Sequence, residues 1–206
     1  MNAINAGGTG SAQVAITIAP ASTGIFASDA FANAGTDVNL LGRTADIGGV
    51  WGQNTSSGQS GHLVTTAAKR VRSNSASPST YFIPTKAIGG DYDVSATLTP
   101  LSLIAGTTAG VVGRVASTGF EYDSCRYEVS TGQWQIWRIS AGAALLGSAA
   151  QALTIGQPYV MTLSRRGNVL TLSVDGVVKV TATDTVTVLP VAPSYVGLRA
   201  SGLLTE

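Results

Sequence analysis

The sequence predicts an all-β protein, an antiparallel β-sandwich with an extended N-terminal arm. From Phe26 onward, apolar and polar residues alternate in short runs that Gly, Pro, Asn or Ser interrupts, a pattern typical of strands. This alternation has no accompanying 3.6-residue apolar repeat, which argues against a helical fold. In residues 159–183, three consecutive strands share one apolar face, and such a face must be buried against a second sheet.

The alternating runs also give the positions of the strands. We expect strands at residues 62–67, 79–84, 91–99, 109–117, 120–129, 133–139, 158–165, 168–175, 177–183 and 194–200. A helical pattern is present only over residues 141–153, where Gly142 and Gly147 disfavour a helix. The sequence therefore predicts a single sandwich domain over residues 25–206.

Residues 159–183 show which side chains should form the core. Asp175-Gly176 supplies the two residues of positive φ that a type I′ hairpin turn needs, and this fixes the register of the strands around it. The apolar positions in phase with the alternation predict a core of Met161, Leu163, Leu170, Leu172, Val174, Val178 and Val180.

Residues 1–24 predict a flexible arm that carries one short strand. Small and polar residues fill most of the arm, but residues 13–18 alternate and place Val14, Ile16 and Ile18 on one face. Such a strand can pair with a sheet edge of its own sandwich or of a neighbour. The glycines of the arm make it easy to extend, which favours the neighbour and predicts a homo-oligomer or a contact with a partner protein.

Composition excludes several classes of partner. Charged residues make up 11% of the 206 residues, and the formal net charge is +1. So weak a field would not gather nucleic acid or an anionic membrane surface, and neither is an expected partner. The single cysteine, Cys125, and the single histidine, His62, exclude an internal disulfide and a Cys/His zinc cluster. No apolar run reaches the roughly 18 residues that a membrane span needs.

Several segments resemble a known family. Ser28-Asp29-Ala30-Phe31, and the run from Leu40 that ends in Gly48-Gly49-Val50-Trp51, are similar to the Asp-x-Phe element and the Gly-Gly-x-Trp turn that open bacterial and phage domains of the concanavalin A-like lectin/glucanase superfamily. Residues 92–95, 110–116 and 159–176 are similar to later strands of such domains. The resemblance covers roughly residues 26–202 and implies a jelly-roll sandwich.

The resemblance implies more about the fold than about the function. The superfamily includes lectins, glucanases, adhesion modules and viral structural proteins. Its domains often add a strand after the Gly-Leu-Arg segment, here residues 197–199, whereas this chain ends at Glu206. We therefore expect an unfinished sheet edge at that point, open to pairing by the arm.

Glucanases of this superfamily carry their catalytic carboxylates at alternate positions of one strand, and the nearest counterpart here is the run from Glu121 to Glu128. Strand alternation places Glu121 and Asp123 on one face and Glu128 on the other, so the third carboxylate is misplaced for glycoside hydrolysis. Charged residues on a strand more often pair with a neighbour such as Arg126 or Arg138. We expect no catalytic residues and no enzyme activity.

Trp137, with Tyr122 and Tyr127 beside it, is the candidate glycan-binding platform. Trp134 and Trp137 lie three residues apart on one predicted strand, so they point to opposite faces. At most one of the two is outside while the other packs in the core, which excludes a platform of two tryptophans. Trp51, which follows two glycines and a valine, is expected to cover the end of the sandwich.

The remaining candidate groups predict neither a metal nor a cofactor. Oxygen donors for Ca²⁺ are scattered, and no D-x-D-x-D-G run gathers the six to eight oxygens that the ion requires. His62 has no second imidazole beside it, and Cys125 in mid-strand predicts a small buried side chain. The scattered oxygen donors are Asp46, Asn54, Asp91, Asp93 and Asp123.

These patterns favour a structural or adhesive module. The first expectation is a bacteriophage virion protein, a head decoration or fibre-type component, which attaches through its arm to other capsid or tail proteins. A surface of small uncharged residues, the arm and the unfinished edge favour this function and a location in the virion. The alternative is a lectin-like module for cell-surface glycans, and a glycoside hydrolase is the third hypothesis.

Overall fold

A computed structural model describes residues 16–19, 27–32, 38–54, 63–65, 70–73, 77–84, 91–116, 121–140, 142–186 and 194–202. Within these ranges every regular element is a strand, and no helix is long and apolar enough to cross a membrane. The strands are β1 Ile16–Ala19, β2 Ala27–Asp29, β3 Val38–Asn39, β4 Gly52–Gln53, β5 Leu63–Thr65, β6 Val71–Ser73, β7 Ser79–Ile83, β8 Tyr92–Leu98, β9 Thr108–Ala116, β10 Tyr122–Glu128, β11 Gln133–Ile139, β12 Ala143–Ala150, β13 Tyr159–Arg166, β14 Val169–Val174, β15 Val177–Thr183 and β16 Ser194–Ser201.

The described strands form two large antiparallel sheets that face each other. One has six strands in the order β15-β14-β13-β8-β1-β2, and the other has seven in the order β12-β11-β10-β9-β16-β7-β4. A small third sheet contains β3, β5 and β6. The all-β antiparallel sandwich predicted from the sequence is confirmed, and the predicted strands from residue 62 onward match the observed ones to within about two residues.

The core fills the space between the two large sheets. Alternate residues of β8, β13 and β14 are buried, and the residues between them, mostly polar, face outward. Burial of these apolar side chains is the main stabilising contribution to the fold. The largest fully buried aromatic side chains of the core between the sheets are Phe31, Trp51, Tyr81, Tyr92 and Trp134.

The core predicted for the C-terminal meander is confirmed with one exception. Six of the seven predicted side chains are buried, whereas Val178 is 59% exposed. A β-bulge between Leu172 and Ser173 pairs Leu172 with Val180 and Ser173 with Val178, which turns Val178 to the outer face. The hairpin turn itself has the predicted geometry, with φ of 52° at Asp175 and 77° at Gly176.

The helical pattern over residues 141–153 was misleading, because this segment contains strand β12 at the edge of the seven-stranded sheet. Gly147 has a packing role in this strand. A Cβ atom at position 147 would lie 2.7 Å from Cγ1 of Val180, so a glycine here lets β12 approach β15 of the opposite sheet. The residue that weakened the helix prediction is thus needed for close packing of the sandwich.

The strand of the N-terminal arm pairs within its own chain. β1, which contains Ile16 and Ile18, lies between β8 and β2 in the six-stranded sheet. The structure thus shows pairing of the strand with its own sandwich, and its donation to a neighbour stays a prediction. The pairing of β1 with β8 satisfies backbone groups of both strands within one chain. Val14 lies outside the described residues.

The unfinished edge expected near the end of the chain is not found at the Gly-Leu-Arg segment. This segment belongs to β16, which pairs with β9 on one side and with β7 on the other. The edges of the seven-stranded sheet are instead β12 and β4, and those of the six-stranded sheet are β15 and β2. The sequence placed the edge wrongly because β7, far back in the chain, supplies the second partner of β16.

The two motifs that carry the family resemblance meet at one carboxylate. Asp29 is buried and accepts hydrogen bonds from Nε1 of Trp51 at 2.8 Å, from Nε and Nη2 of Arg43 at 3.0 Å each, and from the backbone N–H of Phe31 at 2.7 Å. The rings of Phe31 and Trp51 pack at 5.9 Å. These residues therefore join the start of the sandwich to its core rather than form a binding site.

Candidate functional site

The outer face of the seven-stranded sheet carries two neighbouring rows of side chains that cross the strands. The inward residues of β10 and β11, such as Cys125 and Ile136, pack in the core, so the residues between them point outward. We call the first row the polar row: Thr80, Arg199, Gly110, Arg126, Gln135 and Ser148. The second is the apolar row: Phe82, Gly197, Val112, Ser124, Trp137 and Leu145.

Trp137 is held in a defined orientation where the two rows meet. The guanidinium carbon of Arg126 lies 4.6 Å from the centroid of the Trp137 ring, a cation–π contact. The indole Nε1 of Trp137 donates a 2.7 Å hydrogen bond to Oε1 of Gln135. Trp137 stays partly exposed, and its orientation is fixed from two sides by Arg126 and Gln135.

A second apolar cluster lies on the outer face itself, around the apolar row. Phe82 and Tyr195 stack with ring centroids 5.0 Å apart, and Tyr122 is fully buried beside them. The guanidinium of Arg199 lies 5.9 Å from the centroid of the Tyr122 ring. Large apolar side chains packed in this way make the outer face a preformed surface rather than a fluctuating one.

The outer face also contains charged and unsatisfied polar groups. Nη2 of Arg126 lies 3.8 Å from Oε2 of Glu128, and its Nε donates to Oε1 of Gln135 at 3.4 Å. Burial, and next the positive charge of Arg199, lower the pKa of the Arg126 guanidinium. Oγ of Ser124 is buried and has no hydrogen-bond partner in the part of the chain that the structure describes.

Inside the sandwich, Asp123 is the centre of a buried ionic network. It accepts hydrogen bonds from Arg114 at 2.7 and 2.9 Å, from Nη1 of Arg165 at 2.7 Å, and from the hydroxyl of Tyr92 at 3.0 Å. Burial, and then the charge of Asp123, raise the pKa of Tyr92 well above its ordinary value. The backbone of Arg114 itself has a φ of 55°. Arg114 lies where the pairing of β9 with β16 is irregular.

The candidate catalytic carboxylates are separated in the structure. Asp123 is fully buried among its arginine partners, whereas Glu121 is exposed before β10 begins. Glu128 lies on the outer face beside Arg126, as the alternation predicted. Glu121 and Asp123 therefore do not share one accessible surface, although the alternation predicted that they would face the same way.

The predicted glycan-binding residues divide between the two faces of the sheet. Trp137 and Tyr122 both belong to the outer face, but Tyr127 is buried in the core, where its hydroxyl donates to the carbonyl of Gln151 at 2.9 Å. Trp134 packs on Tyr127 with centroids 5.0 Å apart. The prediction that only one of Trp134 and Trp137 is outside is confirmed.

Sequence reasoning missed Arg126, Gln135 and Arg199 as members of this face. Gln135 and Trp137 are two residues apart on one strand, so strand alternation contained the signal for this pair. Arg199 carries no such local signal, because only the order β9-β16 in the sheet brings it into the row of Arg126.

The described acidic residues do not form a metal site. No group of three or more His, Cys, Asp or Glu side chains is placed to hold an ion within the described ranges. Asp46 accepts from the backbone N–H of Ala30 at 2.8 Å, Asp91 from that of Gly167 at 2.7 Å, and Asp93 pairs with Arg166 at 2.8 Å. These carboxylates contribute to loop and strand geometry.

The single histidine and the single cysteine add no metal ligand among the described residues. His62 lies outside the described residues. Cys125 is buried, and burial raises the pKa of its thiol.

A cavity of about 70 Å³ lies at one end of the sandwich, lined by residues that include Leu98, Leu101, Leu153 and Met161. Its lining is mainly aliphatic and continuous with the core. Such a lining does not match the hydroxyl groups of a sugar, so the outer face is the better candidate site.

Comparison with solved structures identifies the fold. Carbohydrate binding module CBM66 from Bacillus subtilis superposes with a TM-score of 0.55 at 12% identity, over 83% of this chain and 91% of that chain. A Bacillus subtilis protein of unknown function with a galectin-like fold gives a TM-score of 0.53 at 14% identity, over 82% of this chain and 91% of that chain. The chain has an antiparallel jelly-roll β-sandwich fold like that of these two proteins.

At these low identities the likeness concerns the fold alone. The sequence matches no protein-family model and none of the curated proteins compared with it. The jelly-roll sandwich that the concanavalin A-like resemblance implied is confirmed. The function has to be argued from the side chains on the sandwich.

Proposed function

We propose that the protein is a non-catalytic, lectin-like module that binds a glycan on the outer face of the seven-stranded sheet. The observation that carries the proposal is the partly exposed Trp137 side chain, held by Arg126 and Gln135 next to a row of polar side chains. A fixed aromatic surface beside polar groups is what a sugar ring needs from a protein.

The chemistry of sugars fits the two rows. The C–H side of a pyranose is apolar and packs on an aromatic ring, and its hydroxyls require donors and acceptors around the rim. Trp137 and Leu145 provide the apolar contact, and Arg126 in the polar row provides donors. Because Trp137 is already oriented, little side-chain entropy is lost when the sugar binds.

The positions of the carboxylates support a binding function rather than hydrolysis. A retaining glycosidase needs two carboxyl groups about 5–5.5 Å apart on one groove. Asp123 is enclosed in the core and neutralised by two arginines, so it is not accessible to a sugar bound beside Glu128. That a carbohydrate-binding module shares this fold is consistent with the proposal.

A glycan array tests the proposal. Wild-type protein, the Trp137→Ala variant and the Val178→Ala variant are compared on the same array. Val178 is the control because it is an exposed apolar residue on the other sheet. We expect wild type and Val178→Ala to bind the same glycans and Trp137→Ala to lose at least about tenfold in affinity, the loss of roughly one aromatic contact. Absence of binding by wild type, or binding that Trp137→Ala leaves unchanged, would reject the proposed site.

A second candidate function is a structural role in a bacteriophage virion, as a head decoration or fibre-type component. The observation that favours it is edge strand β12, eight residues with the sequence AALLGSAA and no charge. Natural proteins usually protect long edge strands with charge, so an uncharged edge favours pairing with another virion protein or a second copy. Mass spectrometry of bacteriophage particles purified from cells that express the chain should detect this protein. Absence of the protein from the purified particles would reject the virion role.

A further inference from the structure

The cavity at the end of the sandwich is lined by three alanines that point inward from both large sheets. Ala96 lies on β8 of the six-stranded sheet, and Ala109 of β9 pairs with Ala200 of β16 in the seven-stranded sheet. All three line the cavity and pack with the core. Their small side chains leave a space of about 70 Å³ between the sheets, which larger side chains would fill.

The rest of the lining is mainly apolar. Leu98, Leu153 and Met161 line the cavity and are each at most 7% exposed. Two hydroxyl groups of the lining, those of Thr108 and Ser201, are hydrogen-bonded to each other at 2.8 Å. An ordered water needs two to four polar partners, so this space suits an apolar group better than water.

The mouth of the cavity lies beside the loop of residues 99–107, which joins β8 to β9. Of the described lining residues, Leu103 alone is exposed, at 38%, and Ile104 next to it is equally exposed. The loop is fixed near its end, where the backbone N–H of Gly106 donates to Oγ of Ser130 at 2.6 Å. An apolar surface therefore continues from the cavity to the outside of the molecule.

We infer that this cavity binds the end of an unbranched alkyl chain, as carried by a single-chain lipid, whose polar end stays in solvent. An apolar cavity of about 150 Å³ takes a benzene ring, so a space half as large takes a narrower group. The flexible thioether of Met161 can adapt to such a chain, and the methylenes outside the cavity would pack on Leu103 and Ile104. The site is separate from Trp137 and does not depend on the proposed function.

The methyl signal of Met161 reports on this site directly. The sequence contains two methionines, Met1 and Met161, so ¹³C-methyl labelling gives two signals, which Met161→Leu assigns. The protein is titrated with 1-hexanol, with 1-octanol and with 1,6-hexanediol, which has a hydroxyl at both ends. We expect 1-hexanol to shift the Met161 signal to saturation.

The other two ligands test how the chain is bound. The diol should bind at least about tenfold more weakly than 1-hexanol, because it must place a hydroxyl in an apolar space. 1-Octanol should bind at least about threefold more tightly, because its two further methylenes pack at the mouth.

Variants that fill the space locate the effect. Ala109→Leu should abolish the shift with 1-hexanol. The matched control is Ala152→Leu, which adds the same side chain at an exposed position outside the lining, and it should bind as wild type does. Thermal unfolding shows whether each variant folds, and Ala200→Val is a smaller filling variant for use if Ala109→Leu does not.

Three results would overturn the inference. The first is the absence of a saturable shift of the Met161 signal with both alcohols. The second is binding of the diol as tight as that of 1-hexanol. The third is unchanged 1-hexanol binding by a filling variant that folds.

Discussion

At the scale of single residues, Asp123 is where one substitution should change stability most. Its carboxylate accepts hydrogen bonds at 2.7 Å from both Arg114 and Arg165, and all three side chains are buried. Asp123→Asn leaves two buried guanidiniums without their counter-charge. We expect the free energy of unfolding to fall by about 3–5 kcal/mol, as measured by urea unfolding.

Glu121→Gln is the matched control for this prediction. It removes one carboxylate charge two residues away, from a side chain that is exposed. The free energy of unfolding should change by less than about 0.5 kcal/mol. Equal losses for the two variants would mean that the buried ion pairs do not hold the two sheets together.

Ser124 has a buried hydroxyl group whose removal should not destabilise the protein, in contrast to the loss of the Asp123 charge. Its Oγ has no hydrogen-bond partner among the described residues, so Ser124→Ala removes a polar group that burial disfavours. We expect the melting temperature to stay the same or to rise. Ser201→Ala is the comparison, because the Ser201 hydroxyl is hydrogen-bonded to that of Thr108 at 2.8 Å. Its removal should lower the free energy of unfolding by about 1 kcal/mol. A loss as large for Ser124→Ala would show that its hydroxyl is bonded.

At the scale of elements, the hairpin of β14 and β15 contains both a core position and its exposed counterpart. Leu172 is fully buried between the sheets, and Leu172→Ala should cost about 2–5 kcal/mol of the free energy of unfolding. Val178→Ala on the same hairpin should cost less than about 1 kcal/mol, since Val178 faces outward beyond the bulge. Calorimetric unfolding measures both losses, and a loss for Val178→Ala as large as that for Leu172→Ala would show that Val178 is buried.

Strand β1 is an internal strand of the six-stranded sheet, which makes it sensitive to proline. Thr17 pairs with Ser95 of β8 and with Ser28 of β2. Thr17→Pro removes a backbone donor within this pairing, so the free energy of unfolding should fall by more than about 1 kcal/mol. Thr17→Ala keeps the donor and should have the smaller effect. Similar melting curves for wild type and Thr17→Pro would return β1 to the role of a dispensable arm.

The elements that the sequence predicted well are those with clean local alternation. β11 and β15 were predicted with their exact bounds, because apolar side chains and turn residues mark both ends. β12 was missed because its small, uncharged residues show no clear alternation of apolar and polar positions. A strand at the edge of a sheet does not require such alternation. The exposure of Val178 depends on a bulge, and nothing in the local pattern distinguishes one extra residue from a regular strand.

At the scale of the whole molecule, the candidate site is a product of strand order. Trp137 could be selected from its own strand, because Trp134 had to occupy the opposite face. The neighbourhood of Arg126 and Arg199 could not, since residues 73 positions apart meet only when β16 inserts between β9 and β7. Local alternation therefore identified the aromatic surface, and the sheet topology identified the charge beside it.

The central claim is that the outer face of the seven-stranded sheet binds a glycan at Trp137, and the indole N–H signals of the three tryptophans test it in one titration. The protein is labelled with ¹⁵N, the indole signals are assigned with Trp137→Phe, and the glycan that binds best on the array is added. Trp51 and Trp134 are internal controls, because both are buried in the core. We predict that the signal of Trp137 shifts progressively to saturation while those of Trp51 and Trp134 stay in place. Saturable glycan binding that leaves the Trp137 signal unmoved would contradict the claim.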